Sequence, residues 1–299
     1  MSKFLGNWLI QRAQQNVERA PDDAKAWSKL YGYHVEQQDS PGFLKFCRDF
    51  IRRQPAGQQG WKFLRLVSEG TVTTAEAQEF AREIVRRHPG CERAWSNLDM
   101  ELEKAKDTTD WITFCREIAT QHPNNMFAWS RLMRELKHEA KHADLVSACL
   151  HAIKLKPDAQ TWVNLAEAYA AQSKLDEAIT AYQKALELKP DFLVALNGLG
   201  CIYHTKGFMD EAILYYQRAI KLRKDDATPW VWMALAHMQK GELQKARDAI
   251  GKVKATLPLV ATMLSEELST LPENPQEADN RVAVNRLAFN LPKLAKTKS

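Results

Sequence analysis

Proline recurs along this chain at a step too long for any single element of secondary structure. Pro21, Pro55, Pro89, Pro123 and Pro157 lie 34 residues apart, Pro190 follows after 33, and two more steps of 34 reach Lys224 and Pro258. Tryptophan keeps time with proline. Trp27, Trp61, Trp95 and Trp129 each stand six residues beyond a proline, Trp162 five beyond Pro157 and Trp230 six beyond Lys224, and only Leu196 interrupts the series. Such a period specifies an array of one supersecondary unit, repeated because each unit buries its apolar face only against its neighbours.

Within a unit the apolar residues follow helical spacing, as in Trp162, Leu165, Ala166 and Tyr169, then Ala178, Ile179, Tyr182, Ala185 and Leu186. Each unit is therefore two helices. The pairs Pro157-Asp158 and Pro190-Asp191 end one helix and start the next, since proline cannot continue a helix and aspartate suits a helix start. Short loops make successive helices antiparallel neighbours.

The residues resemble the tetratricopeptide repeat family, whose 34-residue unit carries W-x2-L-G-x2-Y followed by Ala, Phe or Tyr, Ala and Pro. Trp162, Leu165, Ala166, Tyr169, Ala178, Tyr182, Ala185 and Pro190 fill that signature in order. Leu196, Leu199, Gly200, Tyr203, Ala212, Tyr216 and Ala219 fill it again, with Lys224 in the proline place. Trp230, Met233, Ala234, Ala246, Val253 and Pro258 fit a third time, while His237 and Ile250 depart from the aromatic positions. The resemblance implies an all-α, right-handed α-solenoid of antiparallel helix pairs, the superhelix of that family, with N- and C-terminal capping helices.

The domain organisation follows. Residues 1–21 are an N-terminal capping helix, 22–158 four degenerate helix pairs, 159–192, 193–226 and 227–258 three clear repeats, and 259–299 C-terminal capping helices and a basic tail, with a last helix expected over 277–289. The four earlier pairs still show their kinship in AWSKL, AWSNL and AWSRL at 26–30, 94–98 and 128–132. They have lost the small residues, however. Where the family places Gly or Ala for close approach, the chain has Tyr31, Arg65, Asp99 and Met133, facing Phe43, Ala77, Trp111 and Leu145, which should splay these pairs or shift their phase.

Composition narrows the function classes. The formal charge of +5 invites a nucleic-acid reading, but Lys293, Lys296 and Lys298 crowd the last nine residues and charges elsewhere are interspersed, so no nucleic-acid partner is expected. The N-terminal apolar run, broken by Gly6 and Asn7, is too weak for a secretory or membrane segment. Five scattered cysteines form no C-x-x-C pair, and Cys47, Cys115 and Cys149 share one place in the second helices and read as small core residues. His88 and His122, before prolines, read as surface residues. A cytoplasmic protein without a membrane partner is expected; self-association stays open.

One stretch suggests chemistry. HEAKH, 138–142, matches the H-E-x-x-H pattern that presents two zinc-binding histidines and a general base from one helix. Counted from Trp129, however, His138 ends a first helix and His142 lies in the turn before the second, which starts near Ala143. The two do not share a helix, and Glu167 and Glu177 offer no convergent third ligand. No catalytic residue, metal or cofactor is therefore expected.

The resemblance implies function on the face lined by first helices. Phase places Lys29, Phe63, Asn97, Arg131, Asn164 and Gly198 in one row and Ser28, Lys62, Ser96, Ser130, Val163 and Asn197 in the next. A subset of the family grips C-terminal carboxylates with five Lys, Asn and Arg residues. Lys62, Asn97 and Arg131 match that pattern, while Leu66 and Phe127 stand where Asn and Lys belong. The candidate peptide-binding residues are Lys62, Asn97, Arg131, Arg134, Asn164 and Asn197. The expected function is a non-catalytic scaffold or adaptor binding a protein or peptide partner, acidic or C-terminal in character. The alternatives are a chaperone holding an amphipathic helix of a secretion or assembly subunit, and the zinc protease or targeting arm of an enzyme.

Overall fold

The computed structural model of the chain describes residues 3–69, 72–105 and 111–270, and among these all regular structure is helical. The capping helix α1 (Lys3–Arg19) precedes seven pairs. These are α2 (Ala24–Glu36) with α3 (Ser40–Arg53), α4 (Gln58–Ser68) with α5 (Thr74–Arg87), α6 (Glu92–Ala105) with α7 (Trp111–Gln121), α8 (Met126–His138) with α9 (His142–Leu155), α10 (Ala159–Ala171) with α11 (Leu175–Leu188), α12 (Leu193–Lys206) with α13 (Met209–Leu222), and α14 (Ala227–Gln239) with α15 (Leu243–Val253). The closing helix is α16 (Pro258–Thr270). The helix expected over 277–289 and the basic tail lie outside the described residues. The chain divides into two units, Met1–Glu135 and Leu136–Ser299, the division falling within α8.

The six-residue spacing of proline and tryptophan has a direct cause in the first unit. Indole Nε1 of Trp27, Trp61, Trp95 and Trp129 donates to the carbonyl of Pro21, Pro55, Pro89 and Pro123 at 2.8, 2.8, 2.7 and 2.8 Å. Proline ends a helix and leaves carbonyls without helical donors, and a buried indole needs an acceptor; each satisfies the other. The core is built around these rings. Trp27 stacks on Phe63 at 5.6 Å and meets Phe50 edge-on at 4.9 Å, and Trp95 meets Trp111 and Phe114.

The expected splaying appears as a change of closest neighbour. In the second unit the two helices of one repeat lie closest together: α10 on α11, α12 on α13 and α14 on α15. Ala166 and Ala178, Ala212, and Ala234 and Ala246 are fully buried at these crossings. In the first unit the closest pairs instead join consecutive repeats: α1 on α2, α3 on α4 and α5 on α6, with α2 and α3 in thinner contact.

Among the described residues, five turns between first and second helices share one backbone feature. Gln38, Ala140, Ser173, Gly207 and Gly241 all take positive φ, at 54°, 52°, 61°, 87° and 72°. Only the last two use glycine, which has no Cβ to clash there. Asp23, Asp158 and Asp226 cap α2, α10 and α14 through their carboxylates. Asp191 does not cap α12, whose N-cap is Phe192, one residue further along.

Candidate functional site

Lys62 and Asn97 lie on one cleft. Helices α4 and α6 and their preceding turns enclose about 1110 Å³ lined by Pro55, Trp61, Lys62, Arg65, Arg93, Asn97 and Met100 among others, all in the first unit. Trp61, Pro55 and Met100 give it apolar walls. Lys62 is exposed; Arg65 donates to Asn97 Oδ1 at 2.6 Å and Arg93 to the Ala56 carbonyl at 2.8 Å. These bonds position the two guanidinium groups against neutral acceptors, and among the described residues no carboxylate is bonded to either. Glu92 is the one carboxylate of the lining.

The other predicted residues are placed differently. Asn97 is buried, accepting from Arg65 and donating to the Arg93 carbonyl at 2.8 Å, so its amide braces the cleft. Arg131 and Arg134 both bind Asp99: Arg131 Nη1 donates to Oδ2 and Arg134 Nη2 to Oδ1 at 3.1 Å, while Arg134 Nε donates to Glu135 at 2.7 Å. Asn164 and Asn197 lie in the second unit. Asn164 accepts from Gln160 at 3.2 Å, and Asn197 Oδ1 is buried without a hydrogen-bond partner.

The lining rows need correction at three positions. Phe63 is buried against Trp27, Asn97 is buried, and Val163 is fully buried, so none of the three presents a side chain to solvent. Arg65, Arg93 and Asp99 were not among the candidates. A signal for two of them existed. Contacts run from the close-approach position of one first helix to the residue 32 further on: Tyr31 to Phe63, Arg65 to Asn97, Asp99 to Arg131. The complementary charges of Asp99 and Arg131 at that offset are visible in the sequence.

HEAKH is the turn between α8 and α9. His138 ends one helix, His142 begins the next rather than preceding it, and Ala140 between them is left-handed. Two histidines separated by such a turn do not share a helical face, so the zinc-binding reading fails on its geometry. The cysteine reading agrees with the structure: burial pushes the Cys47 and Cys149 thiols up to about 12 and raises Cys115 too, away from the thiolate that redox and metal chemistry need. His88 departs from its expected surface role. It is half-buried, and its Nε2 lies 2.9 Å from the Arg52 carbonyl.

Comparisons with known proteins place this arrangement. The tetratricopeptide repeat profile matches residues 157–225. The solved structure of YrrB, described as a tetratricopeptide repeat protein with an unusual peptide-binding site, superposes with a TM-score of 0.51 at 13% identity over 64% of this chain and all of that one. The structure of the Cut9–Hcn1 hetero-tetramer of APC/C gives 0.49 at 15% identity over 93% of this chain and 59% of that one. MamA gives 0.47 at 20% identity over 57% and 96%. No curated protein sequence matches the chain. Residues 157–225 match the tetratricopeptide repeat family, the described helices share the fold of its solved structures, and proteins of this fold act in general as protein–protein interaction scaffolds. No described helix is long and apolar enough to cross a membrane.

Proposed function

We propose that the chain is a non-catalytic adaptor whose first unit binds an acidic peptide segment across the cleft between α4 and α6. The observation that carries this reading is the charge of that cleft. Among the described residues no acidic side chain is bonded to Lys62, Arg65 or Arg93 and the lining supplies a single carboxylate, so a partner's Asp or Glu side chains would meet an exposed lysine and two guanidinium groups already held in position. Preorganised guanidinium groups lose little freedom on accepting a carboxylate. The reading shifts the centre of recognition from Arg131, which Asp99 neutralises, toward Lys62, Arg65 and Arg93.

The amphipathic-helix reading also has an observation in its favour. Leu66 and Met100 stand in equivalent places on α4 and α6 and are 49% and 38% exposed. The two readings separate by salt. Fluorescence anisotropy with labelled twelve-residue peptides of glutamate and leucine, and with matched lysine–leucine peptides, should show binding of the acidic series alone. That binding should weaken as salt rises, because attraction between exposed charges is screened over about 8 Å at physiological ionic strength. Lys62→Glu should weaken it severalfold. Equal binding of both series, indifferent to salt, would transfer the assignment to an apolar groove.

A further inference from the structure

Asp99 occupies a position where this fold ordinarily keeps a small residue, and it turns a carboxylate toward the neighbouring first helix. We propose that Asp99 is an internal competitor that holds Arg131 and Arg134 closed to ligand carboxylates, so that the face binds strongly only those acidic partners able to displace it. The inference rests on the acidic-segment reading of the same face.

Three equivalent links set Asp99 apart. Tyr31 meets Phe63 ring to ring at 6.0 Å, Arg65 meets the neutral amide of Asn97 at 2.6 Å, and Asp99 meets the guanidinium of Arg131. The first link is apolar, and the second fixes a cation without cancelling its charge. The third cancels one. Asp99 spends both carboxylate oxygens in doing so, Oδ2 on Arg131 and Oδ1 on Arg134, and Glu135 takes Arg134 Nε. Two guanidinium groups thus face two carboxylates, and a long-range pull on an acidic ligand cancels here while it persists at Lys62, Arg65 and Arg93.

The cluster is neither sealed nor free. The side chains of Asp99 and Arg131 are 19% and 18% exposed and that of Arg134 is 53% exposed. A partner carboxylate can reach the arginines, but it exchanges one charge-assisted contact for another and gains little. Removing Asp99's charge turns that exchange into a net gain. The geometry suits one extended segment. Packed helices lie about 10 Å apart, so two repeats span about 20 Å, which roughly six extended residues cover at about 3.3 Å each.

The test uses the full chain and the twelve-residue glutamate–leucine probe. Asp99→Asn keeps the shape and removes the charge; it should tighten probe binding about tenfold, equivalent to about 1.4 kcal/mol. Adding Arg131→Ala to Asp99→Asn should abolish that gain. Labelling with the arginine reagent phenylglyoxal, mapped by mass spectrometry, should rise at Arg131 and Arg134 in Asp99→Asn without any peptide present. An unchanged unfolding midpoint establishes that the variant folds, and Asp99→Ser serves if it does not. Unchanged labelling, or unchanged probe affinity, overturns the proposal. The readouts keep the two ideas apart. Loss of binding in Lys62→Glu with no gain in Asp99→Asn overturns the competitor and keeps the cleft, whereas a gain in Asp99→Asn with indifference to Lys62→Glu supports the competitor and removes the cleft. Absence of probe binding in every variant overturns both.

Discussion

The two units of this chain share one period and differ in which helix each first helix lies closest to. In the second unit the residue after the first-helix leucine or methionine is Ala166, Gly200 or Ala234, and the two helices of a repeat close on each other. Beyond the corresponding leucine in the first unit stand Tyr31, Arg65 and Asp99, and their helices α2, α4 and α6 lie closest to the helices that precede them, α1, α3 and α5. The period fixes the order of elements; side-chain volume at one position per unit decides which interface is tight. The displaced side chains then reach across to the following repeat, as Arg65 does to Asn97 and Asp99 to Arg131.

The largest test of this comparison is the tryptophan. Trp95 is fully buried and donates to Pro89, whereas Trp230 is half-buried and Lys224 stands in the proline place. Trp95→Ala should cost about 3–5 kcal/mol and strip amide-exchange protection from the first unit. Trp230→Ala should cost clearly less. Equal losses by urea denaturation would mean that the proline–indole link contributes nothing particular to the first unit.

Next in size is the glycine of the second unit. A Cβ built on Gly200 would stand 2.3 Å from the Tyr216 ring, and Tyr216 is fully buried with no room to retreat. Gly200→Leu should therefore overpack that crossing and lower stability by about 1–3 kcal/mol. Thermal unfolding followed by circular dichroism reads the change directly. An unaltered midpoint would break the claim that small residues close these helix pairs.

A pH difference of about 2 kcal/mol should separate the units further. His204 in the second unit is buried against Trp232, and burial lowers its pKa to about 4, with Gln239 opposing the shift. The folded protein therefore binds this proton more weakly than the unfolded chain, where the value is near 6.5. The sign follows from linkage: between about pH 6.5 and pH 4 the unfolded chain holds the extra proton, so stability falls as pH falls through that window. At pH 5 the loss should be about 2 kcal/mol relative to pH 7. His204→Gln should remove this part of the pH dependence, and an identical pH profile in both proteins would assign it to other groups.

The sequence carried the helix pairs and their order, because a repeated period multiplies one weak signal into a strong one. Trp27, Trp61, Trp95 and Trp129 are buried where the ruler placed them. The face was less legible. Phase assigns a residue to a side of a helix but not to a depth, and a bulky side chain at the close-approach position changes the depth of its neighbours. Asn97 was expected to meet a ligand and instead braces Arg65, while Arg93, which no phase argument singled out, lines the cleft. Arg131 lost its expected freedom to Asp99, a partner whose charge was visible at an offset of 32 residues but whose significance depends on contact between consecutive first helices.

The smallest expected effects fall at HEAKH, where two substitutions of opposite consequence test whether the motif is a turn or a site. His138 is well exposed, with Nδ1 3.3 Å from Glu139, and His142 opens α9. Replacing both histidines with alanine should change stability by no more than about 0.5 kcal/mol, as for surface positions without special contacts. Ala140 is different, because its φ of 52° is left-handed and strained for a residue with a Cβ. The equivalent turns in the last two repeats use Gly207 and Gly241 at that place. Ala140→Gly should therefore raise stability by up to about 1 kcal/mol, the relief of strain outweighing the added freedom of the unfolded chain. Differential scanning calorimetry of the two variants beside the parent decides the matter. A large loss from the histidine pair, or destabilisation by glycine at 140, would mean that HEAKH holds structure in some way other than as the turn between α8 and α9.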